Sequence, residues 1–143
     1  MMYRGFENIM IGRGSLDGLV ITPRICGICT TAHLTAAVKA LDMICQAEVP
    51  DNAVRVRNIC LMTEMIQNDV RHSALLFMAD FCNTKYRNLP LFEEAAKRYT
   101  PLKGLSAAET IRESKKLIEI IAILGGQWPH SSFMVPGGVV SVP

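Results

Sequence analysis

Apolar side chains return every three or four positions over two long stretches, and that spacing predicts helices. In the first, Leu34, Ala37, Val38, Leu41, Ile44 and Cys45 line one face, with Thr30 or Thr31 placed to cap the start and Pro50 to stop the helix. In the second, Val54, Ile59, Met62, Ile66, Val70, Leu76, Phe77 and Phe81 keep the same period to about Phe81, behind Asp51 and Asn52 as caps. A helix of about thirty residues would run ~45 Å. That exceeds the ~14 Å radius of gyration of a domain this small, so it must project or be covered by other chain. Residues 91–97 predict a short helix. Ser106 and Glu109 form an S-x-x-E capping box for another, which runs to about Leu124 and stops at Gly125 and Gly126. Residues 3–25 are punctuated by Gly5, Gly12, Gly14, Gly18 and Pro23, and predict a loop-rich segment with a short helix or strand near residues 6–11. Residues 133–142 are Val-rich but broken by Pro136 and two glycines, which predicts turns with short strands. The fold class is mainly α.

Composition narrows the class. The 143 residues suit one domain, and an apolar fraction of 50% excludes a disordered tail. Fifteen Lys and Arg against thirteen Asp and Glu leave a net charge of +2, without the basic field that marks a nucleic-acid binder. No run approaches the ~18 apolar residues of a membrane span; the best, residues 117–124, is interrupted by Glu119. The first residues lack the apolar core of an export signal. The five cysteines are odd in number and come without such a signal, which argues against a disulfide framework. Cys45, Cys60 and Cys82 stand alone in apolar stretches and read as core residues, as do the methionines, notably Met62 and Met65.

The sharpest chemistry is Arg24-Ile25-Cys26-Gly27-Ile28-Cys29, followed by His33. The i, i+3 spacing lets two sulfurs point at one centre from a tight turn, and Gly27 lets the backbone bend. A helix start behind Cys29 and the charge of Arg24 both favour thiolates, the form that binds metal or attacks. His33 follows one helical turn behind, which suits a bond to a ligand better than a metal bond of its own. Three readings stay open on these residues: a structural zinc site, for which no second ligand pair is spaced correctly; a thioredoxin-like redox pair, which belongs on a βαβ scaffold; and half of a soft-metal site. His72 reads as a surface or interhelical residue and His130 as part of a loop.

Arg4-Gly5-Phe6-Glu7 (R-G-x-E) and Arg24 to His33 (R-x-C-G-x-C-x-x-x-H) together resemble the two N-terminal signatures of the large subunit of nickel–iron hydrogenases. Tyr3, residues 36–42, Pro50 with Asn52, Arg57-Asn58, residues 125–130 and Gly137-Gly138-Val139 extend the resemblance over essentially the whole chain. It implies that residues 1–143 are a partial large-subunit domain, since that family's second motif, D-P-C-x-x-C-x-x-H, is not among them. It further implies that Cys26 is a terminal ligand of nickel and Cys29 a bridge between nickel and iron, in a Ni–Fe cluster whose iron carries CO and cyanide. Glu7 would serve a Mg site and His33 would partner the bridging sulfur. Arg24 joins Cys26, Cys29 and His33 as a candidate catalytic residue, more electrostatic than chemical. The implied activity is reversible oxidation of H2. Its partners would be the remainder of the large subunit and an iron–sulfur small subunit, which His130 would face. Two alternatives remain: a non-catalytic relative akin to the quinone-proximal subunit of respiratory complex I, and a stand-alone C-x-x-C metal or thiol module.

Overall fold

A computed structural model describes residues 4–140. The helices are α1 (Phe6–Met10), α2 (Gly18–Ile21), α3 (Thr30–Cys45), α4 (Asp51–Arg71), α5 (Phe92–Tyr99) and α6 (Leu105–Gly125). Strands β1 (Met134–Val135) and β2 (Gly138–Val139) pair antiparallel, Met134 opposite Val139. Tyr3, Val142 and their terminal neighbours lie outside the described residues. The helical reading holds, and the segment near residues 6–11 resolves as helix α1. None of the helices among the described residues is long and apolar enough to cross a membrane.

Contacts sort the chain into two compact units, one running to Glu64 and resuming at Ile120, the other Met65–Glu119. The first is built around Leu19, Leu34, Val38, Leu41, Val56, Cys60, Ile121, Phe133 and Met134. Burying each of the larger side chains is worth roughly 1.5–3 kcal/mol. Helix α3 ends sooner than Pro50 would require: Gln46 adopts a left-handed conformation (φ 50°), and the Ala47 N–H closes onto the Asp42 carbonyl at 3.0 Å. Ile44 and Cys45, beside that end, are exposed rather than buried.

A buried ion pair ties the hairpin to the helices. Arg57 on α4 donates to Asp42 Oδ2 on α3 at 2.6 Å, to the Val135 carbonyl at 2.7 Å and to the Gly138 carbonyl at 2.9 Å. The Gly137 N–H donates to Asp42 Oδ1 at 2.8 Å. Gly137 has φ +81° behind Pro136, the Pro-Gly order of a type II turn, so its backbone needs a residue without Cβ. Every donor and acceptor of this cluster thus finds a partner inside a nearly dry site.

In the second unit the long helical run predicted to about Phe81 does continue to Cys82. After Arg71, however, it widens into a π-helical stretch (His72–Phe77) and then tightens into a 3₁₀ turn (Met78–Cys82). The S-x-x-E box is not used: α6 starts at Leu105, so Ser106 lies inside its first turn. Gly104 sits there because a Cβ would lie 2.2 Å from the Arg98 carbonyl oxygen. Ser114 accepts from Arg71 Nε at 3.0 Å and donates to the Ile111 carbonyl at 3.3 Å. An apolar cavity of about 340 Å³ lies among Phe77, Met78, Phe81, Tyr86, Leu89 and Phe92.

The inside and outside of α4 are the reverse of the periodicity reading. Val54, Ile59, Met62, Met65, Ile66 and Val70 are exposed, as are Leu76, Phe77 and Phe81 beyond it. The buried positions are Ala53, Val56, Arg57, Cys60, Thr63, Glu64 and Gln67. On the inward face Arg57 and Glu64 find specific partners, whereas the buried Gln67 amide is left without one, and the apolar stripe is exposed among the described residues.

Candidate metal-binding site

The Cys26–Cys29 turn sits in the first unit, between the 3₁₀ turn Thr22–Arg24 and the start of α3. Both cysteines and His33 are half-buried, and Arg24 and Glu7 are exposed. The two sulfurs are drawn to bonding distance as a disulfide, across a Cα–Cα separation of 5.5 Å. The Cys29 N–H donates to Cys26 Sγ at 3.3 Å, an amide aimed at sulfur of the kind that stabilises a thiolate. Arg24 folds back to the Val20 carbonyl, and Arg4 reaches the Ile25 carbonyl while its guanidinium lies 5.0 Å over the Phe6 ring. Arg4 thereby links the R-G-x-E segment to the cysteine turn, and the Glu7 carboxylate points to solvent from the first turn of α1.

His33 is held through its backbone. Its N–H donates to the Cys29 carbonyl at 3.2 Å and its carbonyl accepts from Thr22 Oγ1 at 3.5 Å. Its ring bonds neither sulfur in this geometry. His72 is exposed, as read from sequence, at the start of the π-helical stretch.

Two residues that sequence reasoning did not place at the site are brought there. Glu64, 1% exposed, reaches from α4 and accepts from the N–H groups of Thr31 at 2.7 Å and Ala32 at 2.9 Å. These are orphan amides of the first turn of α3, so a carboxylate from another helix caps α3 in place of a threonine hydroxyl. The signal in the sequence was the Cys60, Thr63, Glu64, Gln67 spacing, which is itself helical but polar. Burial, with the Glu64 charge adding, pushes the Cys60 thiol up to about 11, so it remains protonated and is a poor competitor for soft metal. Replacing Glu64 with leucine is expected to cost roughly 2–5 kcal/mol, since the buried Thr31 amide and the part-buried Ala32 amide lose a charged acceptor. Urea unfolding checks this, and a loss below about 1 kcal/mol would mean that the amides find other partners.

His130 is the second. It adopts a left-handed backbone conformation (φ 66°), donates its N–H to Thr30 Oγ1 at 3.1 Å, and places Nδ1 2.9 Å from the Pro23 carbonyl. A Cβ built on Gly27 would lie 3.6 Å from its Cε1 atom, so the imidazole rests on the cysteine turn itself.

A family model described as nickel-dependent hydrogenase matches residues 4–90, a span that includes the R-G-x-E segment, the cysteine turn and Glu64. The chain belongs to the nickel-dependent hydrogenase family. It is 32% identical to the periplasmic [NiFeSe] hydrogenase large subunit of Desulfomicrobium baculatum, over 99% of this chain and 30% of that protein. It is 35% identical to the uptake hydrogenase large subunit of Rhodobacter capsulatus, over 94% of this chain and 24% of that protein. The fold matches the Ni-Fe-Se hydrogenase from D. vulgaris Hildenborough in its reduced state, with a TM-score of 0.81 and 34% identity, over 100% of this chain and 31% of that one. The chain thus spans less than a third of the length of these relatives.

The donor chemistry suits the nickel of the family name, since adjacent soft thiolates select such metals over magnesium or calcium. Among the described residues no group of three or more His, Cys, Asp or Glu converges on one point. The cysteine pair therefore fits as part of a ligand set rather than as a whole one.

Proposed function

We propose that this chain is part of a hydrogenase large subunit. Cys26 and Cys29, as reduced thiolates, would supply two sulfur ligands of a nickel–iron centre, Cys26 on nickel alone and Cys29 shared with iron. The observation that carries this is the pair itself: two half-buried sulfurs brought together at the N-terminus of α3, on a fold that matches a Ni-Fe-Se hydrogenase with a TM-score of 0.81. When bound, a centre with CO and cyanide on its iron supplies the heterolytic splitting of H2 that ends in two protons and two electrons.

This chain's own residues prepare that chemistry. The Cys29 amide and the positive end of α3 favour the thiolate form of Cys26. The chain from Pro23 to Thr30 is pinned at both ends, which fixes the aim of the sulfurs and shortens the reorganisation needed when metal binds. Glu7, a hard carboxylate open to solvent, serves a Mg site completed by other chain. His33 would partner Cys29 through its ring once the sulfurs are thiolates, and Arg24, whose guanidinium folds back to the Val20 carbonyl here, would add positive charge by turning toward them. Electrons leave to an iron–sulfur small subunit, and the missing ligands come from the remainder of the large subunit.

The test is metal analysis with X-ray absorption on the protein purified with its partner subunits, together with H2-dependent reduction of a viologen dye. Nickel bound by sulfur and H2-dependent reduction are expected. Purified protein with free Cys26 and Cys29 but without nickel would overturn the reading and raise the non-catalytic alternative.

A further inference from the structure

The chain from Pro23 to Thr30 is a loop whose neck is closed by three hydrogen bonds among three residues. Thr30 Oγ1 donates to the Pro23 carbonyl at 3.1 Å. His130 donates its backbone N–H to that same Thr30 oxygen, and its Nδ1 stands 2.9 Å from that same Pro23 carbonyl. A carbonyl only accepts, so Nδ1 donates in this bond. Nε2 lies toward Gly27, 3.8 Å from where a Cβ would stand.

Three features agree that this contact is selected by the fold. The sequence separation of the His130–Pro23 bond is 107 residues, so no local turn produces it. His130 holds φ 66°, a region costly for a residue with a Cβ and tolerated where surrounding contacts over-determine it. Gly27 has the ring within ordinary contact distance of its missing Cβ, so the cysteine turn and the imidazole are fitted to each other.

We infer that His130 is a positioning residue for the cysteine pair: Nδ1–H and the backbone N–H buckle the neck of the loop, and the Cys26 and Cys29 thiolates keep their aim only while the buckle is closed. The inference rests on the metal-binding reading above and adds a residue to it. His130 touches neither sulfur in this account. Its effect passes through Pro23, Thr30 and Gly27, as outer partners of metal ligands commonly act.

Substitution separates the two ring nitrogens. An asparagine amide can stand where Nδ1 stands and accepts a left-handed backbone, whereas a glutamine amide reaches toward Nε2. His130→Asn, His130→Gln and His130→Ala are made in the protein as it is purified with its partner subunits. Each is checked for native circular dichroism and assayed for nickel content. His130→Ala and His130→Gln are expected to hold nickel about 10- to 100-fold more weakly, and His130→Asn to remain close to the parent. The reduced, metal-free protein gives a second readout, the alkylation rate of Cys26 and Cys29 by iodoacetamide with exposed Cys45 as internal reference. That rate should rise in the Ala and Gln variants and stay at the parent value in Asn. If Gln behaves as the parent and Asn does not, or if all three variants share one behaviour in both assays, the buckle is wrong. A parent protein without nickel would defeat the metal-binding reading alone, because the alkylation order still reports on the neck.

Discussion

Replacing Cys26 with serine is expected to remove nickel from the purified protein and bring H2-dependent dye reduction to background. The hydroxyl that replaces the thiol is a hard donor that stays protonated at neutral pH, so a soft-metal site loses both charge and polarisability at that corner. The remaining thiolate, Cys29, cannot hold the geometry alone, and nickel per chain should fall to less than about a tenth. Cys45→Ser is the matched control. Cys45 is exposed at the far end of α3, and its loss leaves nickel unchanged. Mass-spectrometric metal analysis reads both variants, and a normal nickel content in Cys26→Ser would end the ligand assignment.

Arg57→Ala is expected to destabilise the protein by about 3–5 kcal/mol, the usual result of removing one partner of a buried ion pair. Three groups lose their partner at once: Asp42 Oδ2 and the Val135 and Gly138 carbonyls, while the Gly137 N–H alone stays on the Asp42 carboxylate. Asp42 adds a pH signature. Burial alone would raise its carboxyl, but the Arg57 bond, the Gly137 N–H and the Arg57 charge outweigh it and hold the folded value below the ordinary 3.8. A carboxyl depressed on folding contributes stability that is present above its unfolded value and lost as pH falls through the folded one. Urea unfolding from pH 7 down through pH 4 and below should therefore show the parent losing stability on the acid side. Arg57→Ala should start lower and lose less there. Equal acid slopes in the two proteins would remove Asp42 from the account.

Helix positions were legible because apolar spacing and breakers are local. Residues 30–45 and 105–125 fall where the period puts them. The cysteine turn was legible as well, since i, i+3 spacing with a central glycine admits few geometries. What the period could not say is which face of α4 is covered. Arg57, Glu64 and Gln67 lie inside while Met62, Met65 and Ile66 lie outside. A stripe of apolar residues states that a helix needs a cover, and the cover is a tertiary fact. Arg57 is tolerable inside only because Asp42 and two hairpin carbonyls meet it, and Glu64 only because α3 turns two bare amides toward it. Partners fifteen to eighty-one residues apart leave no mark in local spacing. The same is true of His130: a histidine after a Gly-Gly turn reads as loop, and only the fold brings its ring to rest on Gly27.

The unequal exposure of the three unpaired cysteines gives the chain a built-in labelling order. Cys60 is buried and held protonated, Cys82 is half-buried with its thiol donating to the Ala95 carbonyl, and Cys45 is open to solvent. A maleimide added in limiting amount therefore marks Cys45 ahead of the other two. Cys45 terminates a 16-residue helix whose first turn begins just behind Cys29, so α3 is a rigid ruler of about 24 Å. A spin label at its far end turns that ruler into a distance gauge, and a paramagnetic metal at Cys26 and Cys29 would be read by magnetic coupling over a length the helix itself sets.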